Sequence, residues 1–443
     1  MSVDSVSRKH DRIPFIRFLG VYLLFQWRRQ CARLHRARIA LYSRRFGQWI
    51  RLRAAVSADH AAPPSVAAVV PASATQTPTN TRCILLIDTV PPRPDRDSGS
   101  LRCHHLMHLM VCLGYKVVLH CQERLPSAAE VMALRAIGVT TTAVAGGFPS
   151  WLLTNPERYC AVVVCRYHLG LSWLPLLRAF VPDSLCILDT VDLHHLREQR
   201  EAELRNLSGL RAAAAITRRH ELHAISCADL VWVVSPVERD YLARLLPQAR
   251  VEVVPNIHDM VETIPPFVSR HGFLFVGGSR HPPNVDAVRW LLSEIFPRIR
   301  ERLPDAQLHL VGAGLAEAMQ SQQMICPGVS FHGHVPEMAP LLHACRVSLA
   351  PLRFGAGVKG KISEALAYGL PVVTTPEGAE GMYLRSGMDA LISGDAEDLA
   401  RQAVCAHEDL EVWQRLSDNG QQIIKQHFSL HSTRAALAVM LPH

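Results

Sequence analysis

From residue 83 onward, short continuous apolar runs alternate with longer stretches of helical spacing, and this rhythm constrains the fold more than any other feature of the chain. The run CILLIDTV at 83–90 is apolar without the polar alternation of a half-exposed strand, so it reads as a strand covered on both faces. A helix is predicted over 99–113, and further strands at 116–121, 161–165, 185–189, 229–234 and 250–254, with a long helical stretch at 196–226. Strands and helices that alternate in this way build a parallel sheet with helices on both faces. The stretch 255–272, with its Pro265-Pro266 pair, interrupts the rhythm. It then restarts with strands at 273–276, 307–312, 329–332, 346–350 and 371–374 and helices at 284–302, 337–345 and about 361–368. The predicted fold is α/β: two tandem Rossmann-like doubly wound domains, 81–262 and 263–443. The carboxyl ends of their sheets are expected to face a shared cleft.

The 443 residues, 49% apolar and 19% charged, leave room for two such cores and match neither a disordered chain nor a polytopic membrane protein. Charge is distributed unevenly. Residues 1–60 hold 13 Lys and Arg against three acids, a net of +10, and since the whole chain carries +8, residues 61–443 carry −2. The body therefore lacks the concentrated basic face that nucleic acid requires. In the N-terminal segment Trp27, Cys31, Leu34, Leu41, Tyr42, Phe46, Trp49 and Ile50 recur at roughly helical spacing among arginines. That pattern predicts a basic amphipathic segment meeting an anionic membrane surface. Residues 61–80, rich in Ala, Pro, Ser and Thr and free of charge, read as a linker. No cleavage site follows the short apolar segment 13–27, and the 12 cysteines are scattered without a Cys-x-x-Cys, as in a cytoplasmic chain with reduced thiols.

The densest candidate site is PLRFGAGVKGKISEALAYGLP at 351–371. A strand ends, a loop with Gly355, Gly357 and Gly360 follows, and a helix carries Lys361 and Glu364. Glycines permit close backbone approach, and free amides at the helix start favour an anion, with Lys359 and Lys361 adding charge. This is the composition of a diphosphate cradle. Glu364, one turn beyond Lys361, is placed to accept hydrogen bonds from two sugar hydroxyls. Arg280, just after the strand 273–276, is the natural second cation.

In the first half, Ser98-Gly99-Ser100 joins the first strand to a helix and offers amides to an anion or hydroxyl. His194 follows the strand 185–189, where chemistry in such folds concentrates, with Asp192 to orient it and His195 as its competitor. His104 and His108 lack a third ligand nearby, and Asp95 and Asp97 read as solvated loop acids, so no metal is expected. His332 and His334 are expected to shape a nucleotide-base pocket through backbone. Gly312-Ala313-Gly314 lacks the third glycine of a dinucleotide fingerprint, Glu317 standing in its place.

Residues 84–428 resemble a glycosyltransferase of the GT-B fold, family 4. The resemblance is carried by Phe275-Val276-Gly277-Gly278, His281-Pro282-Pro283-Asn284, Leu310-Val311-Gly312, the run from Gly355 to Lys361, and Glu364-Ala365-Leu366-Ala367-Tyr368-Gly369-Leu370-Pro371. The first half agrees through the run from Pro94 to Arg102, Asp189-Thr190-Val191-Asp192-Leu193-His194 and Val234-Ser235-Pro236. The resemblance implies transfer of a sugar from a nucleotide sugar with retained configuration and no bound metal or other cofactor. It places the donor on the second domain, against Gly277, Gly278, Arg280, Gly357, Lys359, Gly360, Lys361 and Glu364. The acceptor, a glycan or lipid-linked molecule, falls on the first domain, near Ser98, Gly99, Ser100 and Arg102, with His194 at the donor sugar. One departure stands out: Ala356 occupies the place of the first of two glutamates usual in the family. The expected setting is the cytoplasmic membrane face, in surface polysaccharide or glycolipid synthesis. A non-catalytic membrane-associated scaffold with a degenerate donor site and a GT-B sugar-nucleotide epimerase are the alternatives.

Overall fold

The computed structural model describes residues 82–142, 159–320 and 327–442. The basic segment 1–60 and the linker 61–80 lie outside the described residues. Cys83–Asp88 (β1), Lys116–Cys121 (β2), Val139–Thr141 (β3), Tyr159–Cys165 (β4), Leu185–Asp189 (β5), Leu230–Val233 (β6) and Val251–Val253 (β7) form the first sheet. Its order is β3-β2-β1-β4-β5-β6-β7, parallel throughout. The second sheet comprises Phe273–Val276 (β8), Leu308–Val311 (β9), Val329–Gly333 (β10), Val347–Ala350 (β11), Val372–Thr374 (β12) and Leu391–Ile392 (β13). Its order, β10-β9-β8-β11-β12-β13, repeats the same winding, again with parallel pairs. The expected architecture of two doubly wound domains is what the chain adopts.

Burial on both faces explains the continuous apolar runs. In β1, Ile84 and Leu86 enter one core cluster with Leu106, Met110 and Trp232, while Leu85 and Ile87 enter the opposite one with Trp173 and Leu188. In β8, Phe273 and Phe275 face one layer and Leu274 the other. Each sheet reverses direction where its first strand meets its fourth, β1 against β4 and β8 against β11, and loops leaving the carboxyl ends there diverge to open a crevice.

Three expectations change. The helical stretch at 196–226 is two helices, His194–Arg205 and Ser208–Ser226, separated at Asn206, whose φ of 52° is the left-handed conformation asparagine tolerates. The helix expected at 284–302 contains a wide π turn, Leu291–Ile295, just before Pro297, which has no N–H to offer the regular ladder. The last helix, Leu430–Met440, leaves the second domain, although the boundary at 263–443 assigned it there. Its Leu437, with Leu441 just beyond, lies in the first domain's core, and Tyr115 Oη donates to Pro442 O at 2.7 Å. None of the described helices is long and apolar enough to cross a membrane.

Candidate functional site

The loop after β11 and the helix Gly360–Ala367 form the second-domain side. Gly357, at φ 65°, brings its backbone so close to the first domain that a Cβ there would lie 3.1 Å from Asp192 Cβ and Val234 Cγ2. A Cβ on Gly360 would lie 2.4 Å from Ser98 Cβ. Glycine at these two positions therefore lets the loop seat directly against the first domain. The helix has no side-chain cap at Lys359, which leaves its leading amides open to an anion.

The two lysines part company. Lys359 is 7% exposed and folds back, Nζ donating to Gly357 O at 2.7 Å, so it braces the loop instead of projecting a charge. Burial pushes its amine down to about 8. Lys361 Nζ donates to Asn284 Oδ1 and sits 4.8 Å from the centroid of the Phe275 ring. Asn284 in turn donates from Nδ2 to Gly278 O at 2.9 Å, tying Lys361 to the loop after β8. Burial, and then the neighbouring Lys359, push the Lys361 amine down to about 7. Glu364 is half-buried, its carboxylate without a hydrogen-bond partner among the described residues, and burial raises its pKa. Arg280 is exposed at the loop that Asn284 secures.

On the first-domain side the loop after β5 is held from below. Val191 takes φ 66°, uncommon for a β-branched residue, and persists because the surroundings fix it. Leu193 N donates to Glu238 Oε1 at 3.0 Å, His194 N to Glu221 Oε1 at 3.1 Å and His195 N to Glu221 Oε2 at 3.0 Å. His194 keeps 17% of its side chain exposed, with Nδ1 3.4 Å from Asp192 Oδ1 and Tyr167 edge-on at 5.2 Å. Burial opposes its charge, but Glu221 and Asp192 outweigh that and raise its pKa. His195 is fully buried between Glu221 and Tyr241, Nε2 lying 2.9 Å from Tyr241 Oη, so it is no competitor for the cleft.

The loop after β1 corrects two expectations. Asp97 caps the helix Ser98–Cys112 and accepts from both the amide and the hydroxyl of Ser100, at 2.8 and 2.9 Å. That amide is not free for a phosphate, and the carboxylate repels one. Arg102 is not in the cleft at all: it is buried, paired with Asp189, and donates to Val254 O and Pro255 O. Ser98 and Gly99 remain at the seam, Ser98 over Gly360 and Gly99 beside Val191 and Arg166.

Several residues at the seam carried no recognised sequence signal. Arg200 donates to Gly355 O at 2.6 Å and pairs with Glu380 at 2.7 Å, latching the first domain to the loop after β11. Arg166, at φ 70°, pairs with Asp88 at 3.3 Å at the end of β1. Asn284 stood inside a quoted motif, yet its role as the Lys361 partner needs β8 and β11 to be neighbours. His334 approaches Asp95 at 3.7 Å across the seam, while His332 pairs with His309 at 2.9 Å. Among the described residues no cluster of three or more His, Cys, Asp or Glu is arranged to hold a metal ion.

Residues 270–409 match the family of glycosyl transferases group 1. An uncharacterized 44.6 kDa protein in the cps region of Klebsiella pneumoniae is 24% identical over 162 residues, 35% of this chain and 42% of that protein, so the match spans less than half of the relative. Among solved structures, the sucrose-phosphate synthase of Thermosynechococcus elongatus is similar with a TM-score of 0.64 at 15% identity, over 81% of this chain and 98% of the other. HepE of Anabaena, in complex with UDP and glucose, is similar with a TM-score of 0.56 at 17% identity, over 81% and 99%. At such identities the likeness establishes the GT-B fold.

Proposed function

We propose that this chain, whose residues 270–409 match the glycosyl transferases group 1 family within a GT-B frame, is a retaining glycosyltransferase. It moves a sugar from a nucleotide-sugar donor to a glycan or lipid-linked acceptor in surface polysaccharide or glycolipid synthesis. The observation that carries the reading is Lys361, fixed by Asn284 at the uncapped start of the helix Gly360–Ala367, directly opposite the first-domain loops of Ser98 and Asp192. The UDP and glucose held by the Anabaena neighbour favour a UDP-sugar donor, and the cps setting of the Klebsiella relative favours a surface polysaccharide.

In this mechanism the donor diphosphate exchanges the Asn284 contact for its own oxygens on Lys361. The helix amides and exposed Arg280 add charge-assisted hydrogen bonds that strengthen as the diphosphate departs. The Glu364 carboxylate, without a hydrogen-bond partner among the described residues, accepts from ribose hydroxyls. His194 contacts the sugar. Ala356 offers no carboxylate to it, so donor-sugar recognition rests on other groups of the loop.

Lys361→Ala is expected to weaken UDP-glucose binding by roughly 10- to 150-fold, the equivalent of about 1.5–3 kcal/mol for a hydrogen bond to a charged group. Calorimetry giving equal affinities would remove the assignment. The same lysine sets a pH dependence. With its amine near 7 it is charged below and neutral above, whereas the diphosphate diester of UDP-glucose does not titrate there. Affinity should therefore fall as pH rises through about 7, and a flat profile from acid to alkaline would exclude Lys361 as the responsible cation.

Attachment to the cytoplasmic membrane face through residues 1–60 belongs to the same proposal. Their net charge of +10 favours anionic lipid by up to about 1 kcal/mol per residue that reaches the surface. The full chain should sediment with phosphatidylserine-containing vesicles and a chain lacking residues 1–60 should not. Equal sedimentation of the two would remove residues 1–60 as the membrane anchor.

A further inference from the structure

The turn that presents His194 is held by a carboxylate with no exposure to solvent. Glu221, on the helix Ser208–Ser226, has a relative exposure of 0% and no arginine or lysine paired with it among the described residues. Its two oxygens accept from the amides of His194 and His195, and Oε2 also lies 2.5 Å from His195 Nδ1. The helix His194–Arg205 has no capping side chain of its own at Leu193, so a neighbouring helix supplies the cap. A local serine or aspartate satisfies such amides at far lower cost than a buried charge, so capping alone does not account for a glutamate here.

The ring of His194 supplies the second observation. Its Nδ1 faces oxygens only: Asp192 O at 3.2 Å, Asp192 Oδ1 at 3.4 Å and Glu221 Oε1 at 3.7 Å. A ring nitrogen surrounded by acceptors carries the proton, which leaves Nε2 as the atom available to a ligand. Nε2 makes no hydrogen bond to any described residue. Two carboxylates within 4 Å of one imidazole then favour a proton on Nε2 as well.

We propose that Glu221 is a positioning residue that locks His194 as a donor through both ring nitrogens. His194 thereby presents an N–H to an oxygen of the bound sugar nucleotide, not a lone pair to the acceptor hydroxyl. The role at the sugar nucleotide rests on the transferase reading above; the locked protonation does not. The groups facing His194 are Asp192, Glu221, Arg197, His168 and the ring of Tyr167, and of these Arg197 and His168 oppose its charge. Burial opposes that charge most strongly, and the pKa of His194 is raised because Glu221 and Asp192 together prevail over it.

The test uses the full chain labelled with 15N-histidine, the His194 signals being assigned by their loss in His194→Gln. In the wild type at neutral pH, both His194 nitrogens should give protonated shifts; a lone-pair shift at either overturns the proposal, with His194→Gln serving only to assign the signals. In Glu221→Gln the His194 midpoint should drop by about one pH unit, roughly a tenfold loss of proton affinity. An unchanged midpoint in folded Glu221→Gln overturns it. Tyr241→Phe removes the far partner of His195 while sparing every Glu221 bond to His194, so its midpoint should stay in place. An equal drop there would make the effect general loosening and overturn the assignment. Calorimetry of the same wild-type sample with UDP-glucose reports separately on the sugar-nucleotide reading.

Discussion

Arg102→Ala is expected to destabilise the first domain by about 3–5 kcal/mol, the usual consequence of removing one partner of a buried ion pair. The guanidinium is 2% exposed, pairs with Asp189 at the end of β5 and donates to Val254 O at 2.8 Å and Pro255 O at 3.2 Å just past β7. One side chain thus binds the helix Ser98–Cys112, β5 and the chain leaving for the second domain. Truncating it strands Asp189, itself 1% exposed, along with two carbonyls. Urea unfolding followed by the fluorescence of Trp173 and Trp232, both in this domain, is the appropriate measurement because the two domains need not unfold together. Arg102→Met with Asp189→Leu should recover much of the loss, since apolar residues of similar volume often replace a buried pair without penalty. UDP-glucose affinity should be nearly unchanged in any folded variant. A variant of normal stability with weakened ligand binding would return Arg102 to the cleft.

Arg102 also shows where sequence reasoning reaches its limit. An arginine near the start of a helix, after Ser-Gly-Ser, looks like a solvent-facing phosphate ligand; only the pairing of β1 with β4, and β4 with β5, brings Asp189 under it. The strands of the two sheet centres were legible because burial on both faces writes itself as a continuous apolar run. The edge strands Val139–Thr141 and Leu391–Ile392 are too short to print a period and were passed over. The loop 351–359 was legible as a cradle since its glycines are local. Asn284, Arg200, Glu221 and Glu380 act across 77, 155, 26 or 27, and 180 residues of chain, distances at which local pattern carries no information. The return of Leu430–Met440 to the first domain was hidden for the same reason: an amphipathic helix declares that it has an apolar face, not which core receives it.

His194→Ala should lower turnover by roughly 10²- to 10³-fold, the range seen when one preorganised donor is removed from a developing negative charge. The geometry around the residue argues for an effect on turnover more than on binding. Its backbone is pinned by Glu221 and its Nδ1 faces Asp192, so Nε2 is held in one place before any ligand arrives. A group preorganised in that way gains most where charge builds up during bond cleavage and little in the ground state. Donor affinity, measured with UDP-glucose, should therefore change by only about twofold or threefold, so that kcat and kcat/KM fall together. The contrast with Lys361 is the discriminating feature: that lysine meets the diphosphate in the bound donor itself and should appear chiefly in affinity. Should His194→Ala weaken binding as severely as Lys361→Ala and leave turnover of the bound donor intact, His194 would be a ground-state contact. The chemistry would then have to be sought elsewhere along the seam, with Arg166 beside Gly99 the next group to replace.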